Sequence, residues 1–301
     1  GTLPGDEYVR KHALSGDKAI ELSPDTDLSK LFENFNQVGP ANYLDPHGVK
    51  FRSITPDERR TINKVDSWSA IHQSCGHDHG LSKANPDAAY YYKDFANDIR
   101  LIALDTVNPH GGWQGCLDRI QFDWLSDLLA NSRDKYVILS SHHPLEKIFN
   151  PYAPDGVPEP AVRREVTDLL LQYANIILWV AGHNHINYIN AITHPDGSHA
   201  FWHIRTASHI DWPQQSRVIE VLEHDDELHI ATYVFDHHGV AQPDIADLTA
   251  VTTLAGISRW LAANNWQRQE GDHPLDKLEG KRDDRNVVLH LAKRPIARLH
   301  A

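Results

Sequence analysis

Ile176-Ile177-Leu178-Trp179-Val180-Ala181-Gly182-His183-Asn184-His185-Ile186-Asn187 is the stretch from which the chain is best read. It opens as an apolar run of strand length, β-branched at its start, and stops at a glycine. Such a run, bounded by a turn signal, suits a buried strand of an α/β sheet. Ligands of open α/β sheets gather outside the carboxyl ends of the strands. His183 and His185 are therefore expected at a strand exit. Neutral imidazole is the commonest side-chain metal ligand, and His-x-His lets two rings reach toward one locus.

The preceding apolar run ends the same way. Lys135-Tyr136-Val137-Ile138-Leu139-Ser140-Ser141-His142-His143-Pro144 reads as a second strand running into histidine. Around these two runs the order is regular: strand 100–105, helix 118–131, strand 136–141, helix 161–174, strand 176–181. Leu117, Ile120, Trp124 and Leu128 follow helical spacing, as do Val162, Val166, Leu169, Leu170 and Tyr173. Strand–helix alternation predicts a largely parallel sheet with helical crossovers. Beyond residue 186 the style changes. Asn187 to Ile192, Phe201 to Thr206, Arg217 to Leu222 and Leu228 to Phe235 read as consecutive strands of an antiparallel meander on the same body. An amphipathic helix at about 247–264 precedes a charged tail.

Residues 1–98 are polar and irregular. Helices are expected over 27–38 and from the capping signature Thr55-Pro56-Asp57-Glu58 to about Ile71. A glycine-bounded loop, Ser74 to Gly80, carries Cys75, His77 and His79. The chain thus divides into an irregular or helical insertion or cap (1–98), a core (99–240) and a carboxyl-terminal helix and tail packing on that core (241–301).

The 301 residues, 41% hydrophobic, suffice for a large core. A formal charge of −12 sets the surface against nucleic acid and anionic membrane, and no run approaches a membrane span. Two cysteines, Cys75 and Cys116, make no disulfide framework.

The pair Ser140-Ser141-His142-His143-Pro144 and Ala181-Gly182-His183-Asn184-His185 resembles the last two metal-binding motifs of the calcineurin-like metallophosphoesterases. Arg100 to Thr106 resembles that family's middle strand. Gly115 through Leu129, with Gln121, Trp124 and Leu125, resembles the helix that follows. The resemblance covers roughly residues 97–222, and Asp284-Arg285-Asn286-Val287 resembles a branch of secreted bacterial members. It implies a four-layer α/β/β/α sandwich with mixed sheets and the metals at the sheet edge, here apparently lacking its first strands. It implies hydrolysis of a phosphate-ester substrate by a metal-bridging hydroxide at a bimetal centre of iron, manganese or zinc. His142 and His183 would favour one metal and His185 the other. His142 is assigned rather than His143 because the family's ligand lies two residues before the proline. His143, Asp105, Asn184, His209 and His79 are candidates for substrate contact or for support of the ligands. Asp105 ends a strand on the presumed site edge, and His209 either meets substrate or caps a turn. The Cys75/His77/His79 loop either overhangs the site, binds zinc, or is solvated.

The family's three upstream motifs, Asp-x-His, Gly-Asp followed by another Asp, and Gly-Asn-His, have no convincing counterpart. Asp45-Pro46-His47 has the letters of the first but lies in a Pro/Gly loop with no apolar strand before it. Asp78-His79, Asp236-His237-His238, Gly5-Asp6, Gly16-Asp17 and Gly271-Asp272 sit in turn-like contexts. The expectation is a chain that begins after the Gly-Asn-His motif, carries about half the ligand set, and needs an upstream piece or a companion amino-terminal fragment for two-metal catalysis. The rivals are a non-catalytic binding protein on the same scaffold and a mononuclear zinc hydrolase using the three histidines alone. A secreted or cell-envelope location rests on the branch resemblance only.

Overall fold

The computed structural model describes residues 89–95, 98–244, 249–264, 275–294 and 296. The helices expected over 27–38 and 55–71, the Cys75/His77/His79 loop and Asp45-Pro46-His47 lie outside the described residues. The chain separates into two units, Gly1–Asp78 and His79–Ala301, and every element below belongs to the second.

Two sheets are present among the described residues. The first has six strands in the order β1-β2-β3-β4-β6-β5: β1 Tyr91–Phe95, β2 Ile99–Leu104, β3 Tyr136–Ser141, β4 Ile176–Ala181, β5 Tyr188–Thr193 and β6 Ala200–Arg205. Strands β2, β3, β4 and β6 run parallel, and the outer strands β1 and β5 are antiparallel to their neighbours. The second sheet is antiparallel, β7 Gln215–His224, β8 Glu227–Asp236 and β9 Val287–Ala292 in that order. Helices α1 (Arg119–Ala130) and α2 (Arg163–Leu170) follow β2 and β3 in the chain, α3 spans Val251–Ala263 and a short α4 spans Leu275–Glu279.

Burial separates the two faces of the first sheet. Ile102, Val137, Leu139 and Trp179 pack with Leu125 and Leu129 of α1 and Val166, Leu169 and Leu170 of α2. Tyr136, Ile177, Leu178 and Ile204 pack instead against Leu228, Ile230 and Leu289 of the second sheet. This is why β4 reads as unbroken apolar sequence: it is covered on both sides. The described residues thus form a mixed α/β fold with helices, a mixed sheet and an antiparallel sheet in layers. Val218, Leu222, Tyr233, Phe235 and Val288 on the second sheet are exposed.

The strands and helices expected over 100–181 are present, but two readings change. Helix α1 buries Gln121, Leu125 and Leu129, whereas Ile120, expected on the apolar face, is 77% exposed. The buried stripe is rotated by one residue because it includes a glutamine. The side chain of Gln121 accepts from the Asp105 N–H at 2.9 Å and donates to the Asp105 carbonyl at 2.7 Å. A buried amide satisfied on both sides fastens the helix to the exit of β2. The expected meander also divides. β5 and β6 pair as a hairpin in the first sheet, with β6 inserted beside β4, while β7 and β8 form the hairpin of the second sheet. Short polar turns announce hairpins without saying which sheet each joins. Phe201 and Ile204, both buried, make β6 an interior strand.

The tail contributes more than a helix. β9 completes the second sheet beside β8, and the residues before it stitch the sheets together. Asp284 accepts from the Ile189 N–H at 2.8 Å, Asn286 accepts from the Val234 N–H at 2.7 Å, and Arg217 donates to the carbonyls of Asp284 and Arg285 at 2.7 and 3.0 Å. No described helix is long and apolar enough to cross a membrane.

Candidate metal centre

Strands β3 and β4 are adjacent and parallel, with Ser141 opposite Ala181. Their exits therefore lie side by side. The Gly182 N–H donates to the His142 carbonyl at 3.0 Å. The Trp179 indole donates to Ser141 Oγ at 2.8 Å, which donates in turn to the His143 carbonyl at 2.7 Å. This fastening brings His142 Nε2 within 3.1 Å of His183 Nδ1.

The loop leaving β4 is strained. His183 and His185 have φ of 67° and 57°, in the left-handed region that a β-carbon disfavours. Each such residue costs about 1 kcal/mol or more and persists where its surroundings over-determine it, commonly at functional sites. Between them the Asn184 N–H folds back onto the Gly182 carbonyl at 2.8 Å. Asn184 Oδ1 is buried and has no hydrogen-bond partner among the described residues.

The adjacent histidines 142 and 143 face different fates. His142 is exposed and His143 is buried. His143 Nε2 donates to the Trp113 carbonyl at 2.9 Å. That fixes the tautomer, so Nδ1 accepts from the Thr106 hydroxyl at 2.8 Å, and the same hydroxyl accepts from the His143 N–H at 3.1 Å. The ring lies against Gly115, where a β-carbon would come within 2.8 Å of His143 Cβ and Cγ. A side chain at Gly115 would force the imidazole out of this seat. The ligand-capable atoms of His142, His143 and His183 lie within 4.8 Å of one another. With both its nitrogens engaged, however, His143 is a support rather than a free donor.

His185 is not part of that group. Its Nδ1 binds Asp211 Oδ2 at 2.5 Å, so Nε2 is the atom that could hold an ion. A carboxylate on the far nitrogen of a metal-binding imidazole fixes its orientation and raises its basicity. His209 lies on the same loop but is exposed and bonds Ser216 Oγ at 2.8 Å. Asp105 accepts from the Val107 N–H at 3.1 Å, shaping the loop that presents Thr106 to His143. His79 lies outside the described residues. Trp113 stacks on His183 at 5.9 Å between centroids, with Lys147 Nζ 5.5 Å from the indole centre.

Burial keeps the rings of His142, His143 and His183 neutral. Burial pushes His183 down to about 4, aided by His143, His142, Lys147 and His185 around it. Burial and His185 lower His142 in the same sense, and burial lowers His143. Unprotonated imidazole is the form that binds metal. The 3.1 Å separation of His142 and His183 is close to the roughly 3.0–3.4 Å edge of a coordination shell with bonds of about 2.1 Å. The donor set therefore fits a first-row transition metal.

Asp211, Thr106 and Trp113 were not marked by the sequence. Asp211 alone left a trace there, as a carboxylate in the loop beyond the strand that neighbours β4.

Residues 44–187 match the family model described as calcineurin-like phosphoesterase. Similar solved structures include a dimetal phosphatase from Danio rerio (17% identity, 50% of this chain and 60% of that one, TM-score 0.35). PhoD is 9% identical over 67% of this chain and 54% of its own, with TM-score 0.38. A Vps29 complexed with Zn2+ from Entamoeba histolytica is 11% identical over 44% of this chain and 91% of its own, with TM-score 0.17. The chain thus spans 60% and 54% of the length of the first two. No curated protein matches the chain.

Proposed function

We propose that this chain belongs to a metal-dependent phosphoesterase that hydrolyses phosphate esters at a two-metal centre, with His142 and His183 on one ion and His185 on the other. The observation that supports it most is the 3.1 Å approach of His142 Nε2 and His183 Nδ1 at two adjacent parallel strand exits, inside a segment that matches a phosphoesterase family model. Iron, manganese and zinc all suit the imidazole donors.

An ion at such a site supplies Lewis acidity toward a phosphoryl oxygen and lowers the pKa of a water. The protein's own residues do the rest. Asp211 holds the His185 ring with Nε2 outward. The Thr106–His143–Trp113 clamp fixes the backbone that carries His142. Lys147 adds a positive charge beside the site for an anionic substrate. The three histidines make only part of the ligand set that a two-metal centre needs.

Isothermal titration of the purified chain with Zn2+ or Mn2+, and hydrolysis of an aryl phosphate with the same ions, tests this. The reading expects metal affinity to fall by at least about 100-fold in His183→Ala. Equal affinity in the His142→Ala/His183→Ala variant would overturn it. Turnover by the isolated chain with one equivalent of zinc would favour a mononuclear hydrolase with the three histidines as its full set.

A further inference from the structure

The second sheet carries another cluster of donors, on different strands from the first. Glu227 and His229 are two apart on β8 and share a face. His290 of β9 stands directly opposite His229. His224 of β7 stands directly opposite Glu227. Strand register alone therefore gathers three imidazoles and a carboxylate on one face.

The side chains close up accordingly. Glu227 Oε2 accepts from His229 Nε2 at 3.0 Å and from His290 Nδ1 at 2.9 Å. The donor atoms of the three residues lie within 4.8 Å of one another. The His229 and His290 rings are 4.4 Å apart, and His224 stacks on His229 at 5.0 Å and 10°. Glu227 and His290 are about half exposed, so an ion can enter from solvent.

We propose that Glu227, His229 and His290 form a second, structural site for a zinc-like divalent ion, with His224 or water completing the shell. Each of the two nitrogens already lies 2.9–3.0 Å from the same carboxylate oxygen, near the edge length of about 3.0–3.4 Å expected for a tetrahedral or octahedral shell. Imidazole-rich donors select zinc, cobalt, nickel or copper over calcium and magnesium, which take oxygen shells. The ion replaces the protons that now join both rings to one carboxylate oxygen. It spans β8 and β9, and through His224 reaches β7. Its consequence is mechanical: it staples β9, supplied by the last part of the chain, to the hairpin that precedes it.

The test uses the full chain with the first centre silenced by His142→Ala/His183→Ala, and Co2+ as a coloured stand-in for zinc. The expected result is uptake of one equivalent of Co2+ with visible absorption bands, and a rise in Tm of about 5 °C with excess Zn2+. Adding His290→Asn, at an exposed position, should weaken binding at least about tenfold and abolish the rise in Tm. Glu227→Gln should do the same. A folded background variant that takes up no Co2+ overturns the proposal, as does undiminished uptake after His290→Asn. Should the background fail to fold, wild-type chain and His290→Asn are compared by metal content. One ion fewer in the variant supports the site, and equal content overturns it.

Discussion

The histidines at the exits of β3 and β4 and those on the face of β8 and β9 are held in different ways. The first group sits on loops. Its positions depend on left-handed backbone at His183 and His185, on a buried clamp around His143, and on an acid, Asp211, from a neighbouring loop. The second group sits on strands, and pairing register alone brings its members together. A catalytic centre needs ligands held from behind with an open front, and this costs strain and buried polar structure. A staple needs only proximity. The cluster at the strand exits therefore has supporting residues that can be removed one at a time, whereas the strand cluster has little behind it except the sheet.

The largest expected effect separates binding from stability. Replacing His183 by Gly removes a ligand and relieves left-handed strain together. The variant should lose metal affinity at the first centre by at least about 100-fold, while thermal denaturation shows stability unchanged or raised by about 0.5–1 kcal/mol. A marked loss of stability would mean that the histidine holds the loop rather than the ion.

Acid should reach the first region from below. His203 on β6 is fully buried beside Trp179 and close to Glu146, in the segment that follows His143 and Pro144. Burial pushes it from 6.5 down to about 4. The unfolded chain takes up that proton below about 6.5 and the folded chain only below about 4, so the unfolded state binds more protons in between. The contribution is full above 6.5 and is lost as pH falls through this window, by about 3 kcal/mol. Urea denaturation at pH 7 and pH 5 should show a smaller acid penalty in His203→Gln. Equal penalties would mean that His203 does not carry the effect.

Two smaller effects test the supports. Asp211→Asn leaves the His185 ring in place but weakens its orientation and basicity, and should reduce metal affinity by about 10-fold to 100-fold with little change in Tm. Gly115→Ala places a methyl against the His143 ring and should cost about 1–2 kcal/mol in denaturation, with a weaker metal site as the secondary effect. Neither should alter Co2+ binding by Glu227, His229 and His290.

The framework of the first sheet was legible because β2, β3 and β4 are apolar runs of strand length and α1 and α2 repeat at helical spacing. The histidines were legible because they stop those runs. What escaped has a common physical cause. Asp211 meets His185, and Trp113 meets His143, through contacts between segments that are remote in sequence, and no spacing rule records them. Gln121 escaped as a buried residue because its polarity argued for the surface, while its two bonds to Asp105 place it inside. β9 escaped because the charged tail masked a short alternating run. The second donor cluster escaped because it exists only once β7, β8 and β9 are in register.

The most direct measurement is metal content per chain by elemental analysis on protein purified without chelator, with intact mass taken on the same samples, for the wild-type chain and His142→Ala/His183→Ala. The account predicts that the double variant loses metal held by the wild-type chain, while His290→Asn keeps that ion. Equal metal content in the wild-type chain and the double variant would contradict it, because the strand-exit histidines would then hold no ion.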